Sequence, residues 1–125
     1  MKMRRNMILV AADRDLRLLV SDEQSDGVME LRHIRAADLD RGEAQAEPET
    51  RTARFPKMIA DFVETEWRKG GYDRLTLVAR ASLLRAMRQE LPDRLRDRVA
   101  AVLDRDLIDR PLREITGHLK AVDAI

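Results

Sequence analysis

The sequence predicts a single α/β domain in which a mixed five-stranded sheet lies between layers of helices, and three observations carry that prediction. Leu75, Thr76, Leu77, Val78 and Ala79 form a nearly continuous apolar run without lysine or glutamate, as expected of a strand buried on both faces. Apolar residues at helical spacing precede this run and resume after it, so helices flank it in the chain. Three short apolar or alternating runs open the sequence, separated by polar turn clusters, which reads as strands joined by hairpins. The strand at Leu75 is the expected centre of the sheet.

Taken in order, residues 7–12 (Met-Ile-Leu-Val-Ala-Ala) read as a buried strand, stopped by Asn6 and Asp13. Asp13-Arg14-Asp15 makes a tight reversal into a second strand at residues 16–20, with Leu16, Leu18 and Val20 on one face. A polar cluster at residues 21–27 leads to a third strand, where Met29, Leu31 and His33 alternate with Glu30, Arg32 and Ile34, near a sheet edge. Residues 36–53 hold one large apolar residue, Leu39, among acidic and small ones, so burial cannot offset the ordering entropy and a flexible loop is expected.

Pro56 fits the first turn of a helix, where a missing N–H costs nothing, and Met58, Ile59, Phe62, Val63 and Trp67 follow as its buried stripe. Gly70-Gly71 ends that helix at Lys69. After the strand at Leu75, Leu83, Leu84, Met87 and Leu91 mark a second helix, Pro92 stops it and starts a third, and Leu95, Val99 and Val102 are the stripe of that third helix. Residues 103–108 suit a short strand at the sheet edge. Pro111 opens a last helix carrying Leu112, Ile115, Leu119 and Val122. The expected order is β-β-β-α-β-α-α-β-α, and the right-handed crossover rule then favours the sheet order 3-2-1-4-5 of ribonuclease H-like folds.

Composition narrows the function. With 24 basic and 23 acidic residues the net charge is +1, which excludes a strong nonspecific pull towards nucleic acid or acidic membranes but leaves local patches open. Twenty of the 24 basic residues are arginines, many alternating with aspartates in a surface of mixed ion pairs. There is no cysteine, hence no disulfide framework or thiolate metal site, as fits a cytoplasmic chain. The apolar run after Arg4-Arg5 ends at Asp13, too short for a secretory segment, and no stretch approaches the roughly 20 apolar residues of a membrane span.

On such a sheet, residues that carry chemistry belong at the strand ends. A two-metal nuclease on this topology needs clustered carboxylates, and Asp13, Glu64, Glu66 and Asp106 are candidates. Ala79-Arg80-Ala81 occupies the end of the strand at Leu75, where a carboxylate is required and an arginine would repel the metal, so no metal is expected. His33 and His118 have no ligand partner at helical or hairpin spacing, and Ser82 lacks a glycine-flanked elbow and a histidine. Capping the following helix is the simpler role for Ser82. Neither a catalytic residue nor a cofactor is expected.

One place keeps functional interest. Open α/β sheets bind ligands beyond the C-terminal ends of their strands, where a helix N-terminus favours an anion. Arg80, Ser82, Arg85 and Arg88 are therefore the candidate residues for holding a phosphate or an RNA backbone, the alternative being arginines paired to Glu90 or Asp93.

Arg54-Phe55, Gly71-Tyr72-Asp73-Arg74-Leu75-Thr76-Leu77-Val78-Ala79, Leu83-Leu84-Arg85-Ala86-Met87, Val99 to Leu103, Asp106-Leu107 and Pro111-Leu112-Arg113-Glu114-Ile115-Thr116-Gly117-His118-Leu119, and more loosely Val10-Ala11-Ala12-Asp13, resemble the bacterial "protein required for attachment to host cells" family. That family is linked to the archaeo-eukaryotic peptide-chain release factor superfamily. The resemblance implies the superfamily's central-domain fold, and a partner in the ribosome or RNA. It does not carry over peptide release, because the Gly-Gly-Gln tripeptide is missing: Gly70-Gly71 is followed by Tyr72. The expected function is thus a non-enzymatic cytoplasmic domain binding ribosome or RNA. The alternatives are an interaction or attachment factor with a protein partner and, further off, a metal-dependent nuclease.

Overall fold

The computed structural model of the chain describes residues 5–12, 15–22, 28–35 and 48–122. In chain order the elements are β1 (Arg5–Ala12), β2 (Asp15–Asp22), β3 (Met29–Arg35), α1 (Pro48–Arg68), β4 (Arg74–Ala79), α2 (Ala81–Glu90), α3 (Asp93–Arg96), β5 (Val99–Asp104) and α4 (Leu112–Ala121). The sheet runs β3-β2-β1-β4-β5, antiparallel from β3 to β1 and parallel from β1 to β5. Element order and strand order are both those expected.

The two-residue period of the strands divides the core between the two faces of the sheet. Met7, Leu9, Ala11, Leu75, Leu77 and Ala79 point towards α1 and α2, where Ile59, Phe62, Val63, Leu84, Met87 and Leu95 meet them. Ile8, Val10, Ala12 and Val78 point the other way, onto Ile115 and Leu119 of α4 and onto Leu107 and Ile108 before it. This makes three layers. The middle strand is β1, not β4 as expected: β4 is buried but lies one place from the edge, because β5 adds only a single strand beyond it.

Several local expectations are corrected. The first helix opens at Pro48, so residues 48–53 of the expected loop are helical, while residues 36–47 lie outside the described residues, as does the reversal at Asp13-Arg14. Pro56 sits inside the helix and not in its first turn, and its buried ring is held against the core. Val99 and Val102 belong to β5 and not to a helix, since α3 closes after a single turn. Leu107 and Ile108 are buried in the connection to α4 rather than in a strand, so apolarity alone misplaced the last strand by four residues.

Edge strand β3 also departs from simple alternation. A register shift between Leu18 and Leu19 leaves Leu31 without a Cα partner, so Met29 and Leu31 are exposed while Ile34 is buried. Val122 lies just past α4 and is exposed. The stop after α1 is as expected in kind, with Gly70 at φ 89° and Gly71 at φ 90°, a region other residues enter only under strain.

Candidate functional site

β4 delivers the chain to Arg80 at its C-terminal end, and α2 begins at the next residue. Arg80 is the cap residue of α2 in extended conformation, and no side chain caps the helix. Ser82 is therefore exposed in the first turn and not the cap: by the time the chain reaches it the backbone is already helical. Arg80 is exposed as well, its Nε 3.7 Å from the Asp104 carboxylate at the end of β5.

The four residues singled out from the sequence part company here. Arg80 and Ser82 stay at the helix N-terminus, whereas Arg85 and Arg88 point along the outer side of α2 into a groove of about 420 Å³ between α2 and β5. Leu84, Gln89, Arg96 and Val102 line the same groove. Residues three apart on a helix lie side by side, which puts the Arg85 and Arg88 guanidinium groups over one stretch of its wall. Their charges are not absorbed by Glu90 or Asp93, for neither arginine has an ion-pair or hydrogen-bond acceptor among the described residues.

Arg96 approaches from the opposite side, on the single turn of α3. Its Nη2 donates to Asp93 Oδ1 at 2.6 Å and its Nε donates to the carbonyl oxygen of Leu91 at 3.1 Å, so two acceptors orient the guanidinium. Sequence reasoning missed Arg96 and Val102. The alternation Arg94, Arg96, Arg98 was visible, but only the fold separates them: Arg94 reaches across the surface to the Glu64 carboxylate on α1, while Arg96 lines the groove. Val102 was read as part of a helix stripe and is instead a half-exposed residue of β5 on the groove floor.

No carboxylate lines the groove, which makes it a local cationic surface on a chain of nearly balanced charge. The groove runs along α2 from Ala81 in its first turn to Arg88 and Gln89 in its last, and its positive charge is that of the arginine side chains. Arginine forks suit such a role, since each can present two parallel N–H donors to a phosphate.

The remaining candidates are engaged elsewhere. Glu66 is buried and receives Arg32 Nη1 at 2.9 Å and Lys69 Nζ at 3.0 Å. Glu64 is bound to Arg68 and Arg94, and Asp106 accepts the Ile108 backbone N–H at 3.4 Å. Among the described residues no three histidine, aspartate or glutamate side chains come together to hold a metal ion. His33 lies exposed beside Asp15 on β2, and His118 is half-buried on α4. Trp67 and Tyr72 stack at 5.8 Å and help close the end of the core, with Arg5 over the Tyr72 ring at 4.8 Å.

Comparison with known proteins follows the fold. Residues 32–119 match the family model of bacterial archaeo-eukaryotic release factor family 12. No curated protein matches. Among solved structures, one described as an archaeal protein superposes with a TM-score of 0.53 at 9% identity, a likeness of fold. The match takes in 96% of this chain and 38% of that one, so the chain spans well under half the length of that relative.

Proposed function

The chain belongs to bacterial archaeo-eukaryotic release factor family 12, and from that premise we propose that it is a non-enzymatic cytoplasmic domain that binds the ribosome or RNA without promoting peptide release. The observation that carries this reading is the pair Arg85 and Arg88, side by side on α2 and without acceptors among the described residues. Two exposed guanidinium groups on one wall, without acceptors among the described residues, attract phosphate, and RNA is the phosphate-bearing polymer that a release-factor relative meets. The Gly-Gly-Tyr at residues 70–72, in place of any Gly-Gly-Gln in these 125 residues, supports separating binding from release. A chain without cysteine, whose described helices are none of them long and apolar enough to cross a membrane, is compatible with work in the cytoplasm.

Co-sedimentation with ribosomes at moderate salt tests the proposal. The unaltered chain is expected to pellet with ribosomes, and the Arg85→Ala/Arg88→Ala double variant to remain about tenfold more in the supernatant, two phosphate contacts being removed. A chain that never pellets overturns the reading.

A second reading, an interaction or attachment factor acting through a protein partner, is favoured by edge strand β3, where Met29 and Leu31 are 62% and 40% exposed. The resemblance to host-attachment proteins points the same way. Cross-linking from position 29 or 31 to a partner in the native cell, or detection of the chain at the cell surface, would favour it over RNA binding.

A further inference from the structure

The groove between α2 and β5 is not uniformly cationic. One wall carries Arg85 and Arg88, the facing rim carries Arg96, and between them lie Leu84, Val102 and the amide of Gln89. Val102 is 43% exposed on edge strand β5, and it is one of few large apolar residues exposed among those described. A groove for inorganic phosphate alone would have no use for an apolar floor. A groove for an acidic peptide would not need a floor beside its arginines, because carboxylate side chains reach them on flexible stems.

Building on the ribosome or RNA reading above, we infer that the groove is the subsite for one nucleotide unit of single-stranded RNA. The phosphate sits between Arg85, Arg88 and Arg96, the face of the sugar or base lies on Val102 and Leu84, and the Gln89 amide reaches the base edge. The volume of about 420 Å³ is that of a small-ligand site and suits one nucleotide rather than a helix. A duplex is excluded on chemistry, since its bases are stacked and paired and cannot lay a face on Val102, whereas an unpaired strand offers both phosphate and exposed base. Arg96 contributes preorganisation: Asp93 and the Leu91 carbonyl hold it, so little side-chain entropy is lost when phosphate arrives.

The test uses the whole chain and a fluorescent single-stranded uridylate oligomer of about ten nucleotides, with a duplex of equal length beside it. The single strand is expected to bind about tenfold tighter than the duplex. Val102→Asp, which sets a carboxylate on the floor, and Arg96→Gln are each expected to weaken single-strand binding about threefold to tenfold; circular dichroism establishes that both exposed-site variants remain folded. Equal binding of single strand and duplex overturns the inference, as does single-strand binding unchanged in both folded variants. Ribosome pelleting by the unaltered chain together with unchanged single-strand binding in both variants would sink the groove while leaving the parent reading standing, and failure of the unaltered chain to pellet with ribosomes would remove the parent reading itself. A comparison of Arg85→Ala with Gln89→Ala separates the two ends of the subsite: the first should weaken all oligomers alike, the second should change the ranking of uridylate against adenylate.

Discussion

The guanidinium of Arg17 on β2 donates through Nη1 to the backbone carbonyl of Ile108, 3.1 Å away and 91 residues later in the chain. The same nitrogen donates to the Arg110 carbonyl at 2.7 Å, and Nε meets Glu30 on β3. Arg17 is 7% exposed, so this one side chain anchors the connection from β5 to α4 against the sheet. The apolar pair Leu107 and Ile108 can then fold under α4, with its backbone carbonyls satisfied.

Arg17→Met should expose the worth of that anchor. Removing the cation strands two backbone acceptors and the Glu30 carboxylate, and methionine restores only the bulk. A loss of about 2–4 kcal/mol is expected, read from urea or thermal denaturation. Glu30→Gln, which keeps an acceptor beside Arg17, should cost less.

Gly71→Ala is expected to destabilise by about 1–2 kcal/mol in the same measurement, because φ 90° is foreign to a residue with a Cβ. A Cβ there would also come to 3.1 Å of Arg5 Nη1 and press on the cation lying over Tyr72. Gly70→Ala meets no atom within 4 Å, so it should suffer the backbone strain alone and be the milder variant.

Pro56→Ala should stabilise. Proline inside α1 cannot donate to the carbonyl four residues earlier, and alanine restores that bond. The buried ring is lost in exchange, so the expected gain is about 1 kcal/mol rather than the roughly 3 kcal/mol of an exposed site, seen as a higher unfolding midpoint.

Salt dependence gives an independent count of phosphate contacts. For single strands the slope of log K against log salt falls by about 0.7 for each contact removed, so Arg85→Ala/Arg88→Ala should flatten it by roughly 1.4. A slope unchanged by the double variant would mean that both arginines stand clear of the bound strand.

Much of this architecture was legible along the chain. The apolar run at Leu75, the opening hairpin and the stripes of α1, α2 and α4 are local patterns whose period reports which side is buried, so element order and strand order followed from them. Periodicity could not distinguish a strand at Val99 from one more helical turn, because β5 pairs with β4 alone and the contacts that decide it come from 24 residues earlier in the chain. Nor could it reveal that Pro56 lies within a helix already begun at Pro48, a case where burial outweighs propensity.

By itself, then, the sequence determined the layers, which reside in residues that must be apolar at a set spacing whatever they touch, and the kinship to the release-factor superfamily, which rests on motifs such as residues 71–79 and 111–119. The tertiary structure alone decided which arginines are free. Arg85, Arg88, Arg94, Arg96 and Arg98 look alike in a row, and only packing α1 against α3 gives Arg94 to Glu64 while leaving Arg85 and Arg88 facing a groove floored by Val102. Charge pairing is a matter of distance in space, and distance in space is what a linear chain does not carry.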